Sequence, residues 1–389
     1  MKEENEKFLQ KFAEFFKHPA TGAAKAPGRL EILGNHTDYN QGTVLSCAVT
    51  KYTKVAVAPT GGTLCRVKDF RSNAEMSFDL AQMAAPPDRN GSRYIKGMVK
   101  ELIARGVNNI CGFDAAIESD VPLSAGMSSS AALEIAAGYA LSGAFGIELD
   151  KVEWAKAGQG VENNYMGLHT GLLDQFSSVF GKKDALILSD FRTNQVIRNV
   201  ALPAGYSIVI VNSMKKHNLV DSEYNSRRAD CERAAATLAK FIPGVKSLRD
   251  VTLEDLEKYR TELDRSAYLR ALHVVGECFR VAKAVEFLDA GDVAGFGDLL
   301  FDSHDSSRMN FDNSSPELDY LVELAHSIPG CLGARLSGGG FGGITIHLVK
   351  NSDADEYTKR IAAGFKLRTG IEPETIVCAI GDGAAKILP

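Results

Sequence analysis

Residues 28–42, GRLEILGNHTDYNQG, set Arg29, Asn35, His36, Thr37, Asp38 and Tyr39 among three glycines. A strand running into a core would be more apolar. A surface turn would be shorter and would not gather a histidine, two amides and a carboxylate. Polar side chains crowded onto tight backbone bends need partners, and this set suits the hydroxyls of a small polyhydroxylated molecule. Whatever fold the chain adopts must therefore deliver this stretch to a cleft.

At 389 residues the chain exceeds the size at which single cores divide, so two domains are expected, 1–203 and 204–389, parting near Pro203. A formal charge of −5 lacks the basic surplus of nucleic-acid binders. The opening MKEENEKFLQKF carries acids where a signal peptide is basic, and no run nears the roughly 18 apolar residues of a membrane span. Seven scattered cysteines without a C-x-x-C pair read as reduced thiols and argue against zinc. A cytoplasmic protein with no nucleic-acid or membrane partner is expected.

Phe8, Leu9, Phe12, Phe15 and Phe16 have the spacing of an amphipathic helix over 3–17. Short strands are expected at TVLSCAV, YTKVAVAP, TLCRVKDF, AEMSFDL and GFDAAIESDVP. Helices should follow the Gly/Ser cluster at 126–130 and cover LDKVEWAKAGQGVENNYMG. Strands return at DALILSD and YSIVIVNS. Residues 221–325 read as helical with breaks near Pro243 and Gly291, then GARLSGGGFGGITIHLV as strand, glycine turn, strand. A helix near 353–367 and a strand at ETIVCAI follow. The pattern is mixed α+β.

Three more stretches carry chemistry. In PLSAGMSSSAALE, Gly126 and Ser128, Ser129 and Ser130 lead into a helix. A helix N-terminus suits phosphate, although one serine serves equally as a helix cap. GARLSGGGFGG formally contains G-x-G-x-x-G, but a strand follows it, which disfavours the dinucleotide fingerprint. Its six glycines exceed what a tight hairpin uses, and a plain hairpin remains the alternative. GVENNYMGLHTGLLDQF holds Glu162 and Asp174. Asp174 lies among Leu172, Leu173 and Phe176, and an acid in such company needs a partner, for which Arg29 is the candidate.

In this order and spacing, the three glycine-rich stretches resemble the motifs of the GHMP small-molecule kinases. GRLEILGNHTDYNQG is similar to the signature of the galactokinase branch, LLDQF to its catalytic-aspartate segment, and NSMKKHNLVDSEYNSRRADCE to the segment whose tyrosine, here Tyr224, lines the sugar pocket. The resemblance implies a two-domain GHMP kinase fold. Its N-terminal domain would be ribosomal-protein-like and its C-terminal domain ferredoxin-like, with ATP and galactose meeting in the cleft between them. It implies that Asp174, with Arg29 beside it, faces the anomeric hydroxyl. Asn35, His36, Asp38, Gly171 and Tyr224 would bind the sugar. Gly126, Ser128, Ser129, Ser130, Gly339 and Gly340 would bind the nucleotide, and Ser130 and Glu162 would hold Mg²⁺. A monomer is expected.

Two positions depart from that signature: Asn35 stands where it has Glu, and Gln41 where it has Gly. The signature's Glu contacts the hydroxyl on carbon 6, so galacturonate and N-acetylgalactosamine are alternative substrates. A sensor that binds sugar and ATP without catalysis is the rival of a different class. The intact Ser128–Ala132 run, Glu162 and Asp174 speak against it.

Overall fold

The computed structural model describes residues 2–84, 90–122, 126–215 and 220–388. Residues 123–125 of the serine stretch and 216–219 of the Tyr224 segment lie outside the described residues.

Helix α1 (Lys2–Phe16) buries Phe8, Phe12 and Phe16, one per turn, against Ala23, Ala56, Ala58 and Ala116. Strands β1 (Gly22–Leu33), β2 (Thr43–Pro59), β3 (Leu64–Asp69) and β4 (Glu75–Asp79) follow. Next come α2 (Ser92–Ala104), β5 (Phe113–Ser119), α3 (Ser129–Phe145), α4 (Lys151–Gly160), a π-helical turn Val161–Tyr165, and α5 (Leu173–Phe180). Strands β6 (Ala185–Asp190), β7 (Gln195–Ala201) and β8 (Tyr206–Asn212) lead to α6 (Val220–Leu238), α7 (Leu253–Lys258), α8 (Arg265–Ala290), α9 (Val293–Ser306) and α10 (Pro316–Ser327). The remaining elements are β9 (Cys331–Ser337), β10 (Ile344–Lys350), α11 (Ala354–Thr369), β11 (Glu374–Cys378) and β12 (Ala385–Leu388).

Two sheets result. The larger has eight strands in the order β12-β1-β2-β5-β3-β4, with β6 pairing β2 and β7 beyond it. The smaller is an antiparallel sheet of four, β11-β8-β10-β9. Helix α3 is buried on nearly all sides between the first sheet and its neighbouring helices, which accounts for its run of alanines and its lack of a polar stripe. Among the described residues no helix is long and apolar enough to cross a membrane.

Several expectations change. Residues 28–33, polar as they are, form the end of strand β1. The strand tolerates Arg29 and Glu31 because side chains alternate: Leu30 and Ile32 enter the core, while the two charged residues share the opposite side. TVLSCAV and YTKVAVAP form one continuous strand, β2, paired along its length with β1. Helices α2 and α5 and strands β7 and β12 went unforeseen. Helix α2 was unmarked despite Ile95, Met98, Val99 and Leu102 on one face. Strand β7 is mostly exposed, and β12 is short, pairing with Ala23–Lys25.

Burial depresses the imidazole pKa values of His36, His273 and His347 to about 3. As pH falls below about 6.5 the unfolded chain takes up these protons and the folded chain does not. The contribution of these three histidines to stability should therefore fall as pH drops from 7.5 to 5, while the buried carboxylates Glu31, Asp38, Glu134 and Glu162, whose pKa values burial raises, act in the opposite sense. Each histidine would contribute up to about 1.4 kcal/mol per pH unit once well below its unfolded pKa. Equilibrium denaturation across that range tests this. His347→Gln should remove one histidine's share of that pH dependence, and a variant whose profile runs parallel to the wild type would contradict the assignment of His347 as a neutral buried imidazole.

Candidate active site

The tip of β1 and the first turn of α5 supply an ion pair. Arg29 Nε donates to Asp174 Oδ1 at 2.7 Å, and a second guanidinium nitrogen lies 2.7 Å from the same oxygen. Arg29 Nη1 donates to the Gly126 carbonyl at 2.7 Å. The other Asp174 oxygen accepts from the Ser128 hydroxyl. Ser128 caps α3 at φ 51°, ψ 55°, a left-handed conformation uncommon for a residue with a side chain, and it is this bend that aims the hydroxyl at Asp174. Arg29 is nearly sealed at 6 % side-chain exposure, whereas Asp174 retains 30 % and opens on a cavity of about 100 Å³.

The turn after β1 forms the next wall of that cavity. Its backbone is held from α8: Glu277 accepts from the amides of Gly34 and Asn35, both at 2.8 Å, and His273 Nε2 meets the Asn35 carbonyl at 3.2 Å. Burial alone would raise the Glu277 pKa. Arg280 beside it, with Arg335 nearby, holds it well below the usual carboxylate range instead. His36 stacks on Phe311 at 4.3 Å between ring centres. Its Nε2 lies 3.1 Å from the Asn313 amide nitrogen and its Nδ1 3.0 Å from the Tyr39 hydroxyl. Asp38 accepts from the Leu173 amide at 3.3 Å, and burial followed by the nearby Asp174 charge raises its pKa. A Cβ on Gly171 would lie 1.7 Å from Asp38 Oδ2, so any side chain there would displace the Asp38 carboxylate. Tyr224 closes the cavity against His36 and Tyr39, with ring centres 5.2 and 5.9 Å away.

The glycine turn between β9 and β10 makes the remaining side. Gly338 and Gly339 line the same cavity as Arg29 and Asp174, although Gly339 was expected beside phosphate. Gly340, at φ +84°, packs so tightly that a Cβ would stand 2.0 Å from the Asn313 carbonyl oxygen.

Sequence reasoning missed Glu31, which also lines the cavity and is only 3 % exposed. Its Oε1 accepts from Asn35 Nδ2 at 2.7 Å and from Arg335 at 3.1 Å. Burial raises the Glu31 pKa and the Arg335 charge opposes that rise. Its neighbour Asn35 is fully engaged, since Nδ2 also donates to the Gly338 carbonyl at 2.9 Å and Oδ1 accepts from Asn313 at 3.1 Å. An acid between Leu30 and Ile32 was the available signal. The partners Arg335, Asn313 and Glu277 lie far away in sequence and left none.

On the other side of the α3 N-terminus, Ser129 and Ser130 line a separate cleft of about 710 Å³ together with Arg71, Asn90 and Tyr94. That volume falls in the range of small-molecule sites. Ser130 donates to Glu162 Oε1 at 3.1 Å, and Thr170 donates to Glu162 Oε2 at 2.7 Å. Glu162 sits in the π-helical turn, and burial, then the Asp174 charge, raises its pKa. Glu134, fully buried one helical turn after Ser130, accepts from Gln175 at 2.9 Å and keeps its other oxygen unpartnered.

Comparison with known proteins gives the family. The galactokinase galactose-binding signature matches residues 10–59, the GHMP kinases N terminal domain 93–182 and the GHMP kinases C terminal model 284–366. Galactokinase from Chloroflexus aurantiacus is 39 % identical over 374 residues, 96 % of this chain and 95 % of that protein. Galactokinase from Actinobacillus pleuropneumoniae is 40 % identical over 378 residues, 96 % and 97 % of the two chains. The crystal structure of Lactococcus lactis galactokinase complexed with galactose superposes with a TM-score of 0.93 at 31 % identity, covering 98 % of this chain and 99 % of that one. A mevalonate kinase structure at 19 % identity and TM-score 0.62 shares the fold. The chain belongs to the galactokinase branch of the GHMP kinase family.

Proposed function

We propose that this protein transfers the terminal phosphoryl group of ATP to the anomeric hydroxyl of galactose, giving galactose 1-phosphate and ADP. The observation that carries the reading is the position of Asp174. It is gripped by Arg29 and Ser128 and opens on the cavity formed by the galactose-binding signature, next to a helix N-terminus rich in serine. In this reading the chain works as a monomeric cytoplasmic enzyme of two domains meeting near Pro203, with ATP in the Ser129–Ser130 cleft.

Phosphoryl transfer passes through a loose transition state, so positioning and charge neutralisation supply most of the catalysis. Asp174 would accept the hydrogen bond of the anomeric hydroxyl and orient its oxygen toward the terminal phosphorus. As the new O–P bond forms and the bond to the ADP oxygen breaks, the hydroxyl proton passes to the Asp174 carboxylate. Arg29 and Ser128 hold that carboxylate in one orientation throughout. His36, Asp38 and Tyr224 would bind the other hydroxyls. The α3 N-terminus and Ser129 would meet the phosphates.

The donors fit Mg²⁺. Ser130 and Glu162 present two oxygens, and the neighbouring Glu134 has a buried, unpartnered one. No group of three or more acidic, histidine or cysteine side chains suited to a metal occurs among the described residues. A site with few protein ligands, completed by substrate phosphates, is the usual arrangement for this ion. When bound, Mg²⁺ would neutralise charge on the terminal phosphates.

Asp174→Asn should fold and bind ATP, yet lose turnover on the order of 10²- to 10⁴-fold, the range for a positioned acid–base group. Near-normal turnover would remove Asp174 from the mechanism. Glu162→Ala and Ser130→Ala should each raise the Mg²⁺ concentration needed for half-maximal rate, and an unchanged titration in both would place the metal elsewhere. Among galactose, galacturonate and N-acetylgalactosamine, the wild type should show the highest kcat/KM with galactose, phosphorylated at the anomeric position. The Glu31 carboxylate beside Asn35 restores negative charge to that wall and disfavours a uronate. A preference for galacturonate would overturn the substrate assignment.

A further inference from the structure

Asn35 has little left to offer a ligand. Both of its N–H groups are spent, on Glu31 and on the Gly338 carbonyl, and its oxygen already accepts from Asn313. Glu31 is in the opposite condition. Both of its protein donors, Asn35 and Arg335, converge on Oε1. Among the described residues no donor reaches Oε2, yet Oε2 is not one of the sealed, unpartnered oxygens, and the residue lines the cavity. The carboxylate therefore presents one open acceptor to the cavity. It is also rigid. Arg335 is wholly buried, and Ser337 bonds the backbone of Glu31 at both its amide (3.1 Å) and its carbonyl (2.9 Å).

We infer that Glu31 is a sugar-binding, specificity-determining residue, whose open carboxylate oxygen accepts from one galactose hydroxyl while Asn35 and Arg335 hold it in position. The inference rests on the galactokinase reading above and moves the hydroxyl contact from Asn35 to its neighbour on β1. A charged acceptor binds a hydroxyl more strongly than a neutral amide does, and a sugar lacking that hydroxyl would leave the carboxylate unpaired. The expected penalty for deleting the hydroxyl is roughly ten- to hundred-fold in kcat/KM.

The test is a cycle between enzyme and substrate. The wild type and Glu31→Gln are assayed with galactose and its 2-, 3-, 4- and 6-deoxy analogues at saturating ATP and Mg²⁺. Glu31→Gln should raise KM for galactose roughly tenfold and leave KM for ATP in place. One deoxy sugar, penalised in the wild type, should lose most of that penalty in the variant, while the other three keep theirs. A merely structural role would affect all five sugars alike. Because Glu31→Gln strands the buried Arg335, the double variant Glu31→Gln/Arg335→Met, which removes the ion pair as a unit, is assayed in parallel, with thermal unfolding as the check on folding. An unchanged galactose KM, or equal penalties in variant and wild type at every hydroxyl, would overturn the inference. No deoxy sugar impaired in the wild type would overturn it without any variant. Failure of the wild type to phosphorylate galactose would overturn the underlying reading as well, whereas galactose turnover without coupling overturns only the role of Glu31.

Discussion

Strand β9 is fastened to strand β1 by side chains reaching backbone. Ser337 bonds both polar groups of the Glu31 main chain, and Arg335 bonds the Ile32 carbonyl (3.0 Å) as well as the Glu31 carboxylate. The strands belong to different sheets, so these bonds set one sheet against the other. Each strand runs directly into a turn that lines the cavity: β1 into 34–38, β9 into the glycines from 338. Were the fastening to slip, the two turns would separate and the cavity would lose opposite walls together. Removing one member of such a buried pair typically costs about 3–5 kcal/mol, because the other is left charged and unpaired.

The two halves of the site carry different electrostatics. Around the signature turn, charge is paired or absent except at Asp38, which has amide partners only. Glu277 has Arg280 and two amides, Glu31 has Arg335, and His36 and His273 stay neutral. Such a wall is finished before a ligand arrives, which lowers the ordering cost of binding. Beyond Asp174 the balance changes. Glu162 and Glu134 are buried with hydroxyl and amide partners, and burial raises the pKa of both. Neither acid has a salt-bridge partner among the described residues, which suits a region that receives a cation together with an anionic nucleotide.

Much of the site was legible because its residues cluster in sequence. Arg29, His36 and Asp38 fall within ten positions, and the Arg29–Asp174 pair followed from one stranded acid and one stranded base. Strand β1 is more polar than a core strand because Arg29 and Glu31 face a cavity instead of the apolar interior. Glu277, Asn313 and Arg335 could not be inferred. They act through spatial proximity across some 240 to 300 residues of chain, and no local pattern marks a side chain that serves someone else's backbone. Helix α2 had a readable apolar stripe and was simply overlooked. Strand β12 is four residues long and offers little periodicity to find.

Strand β12 has a consequence for synthesis. It pairs with Ala23–Lys25 of β1, the strand that further on carries Arg29 and Glu31, and the partners are about 360 residues apart. At a translation rate of roughly 5–20 residues per second, β1 waits some 20–70 s after emerging before that edge can be covered. During this interval an edge of exposed amides and carbonyls remains available to other chains. The enzyme's most important strand is thus the one that spends longest as a nascent chain with an open flank. Conditions that slow translation should weigh on its yield more than on its finished stability.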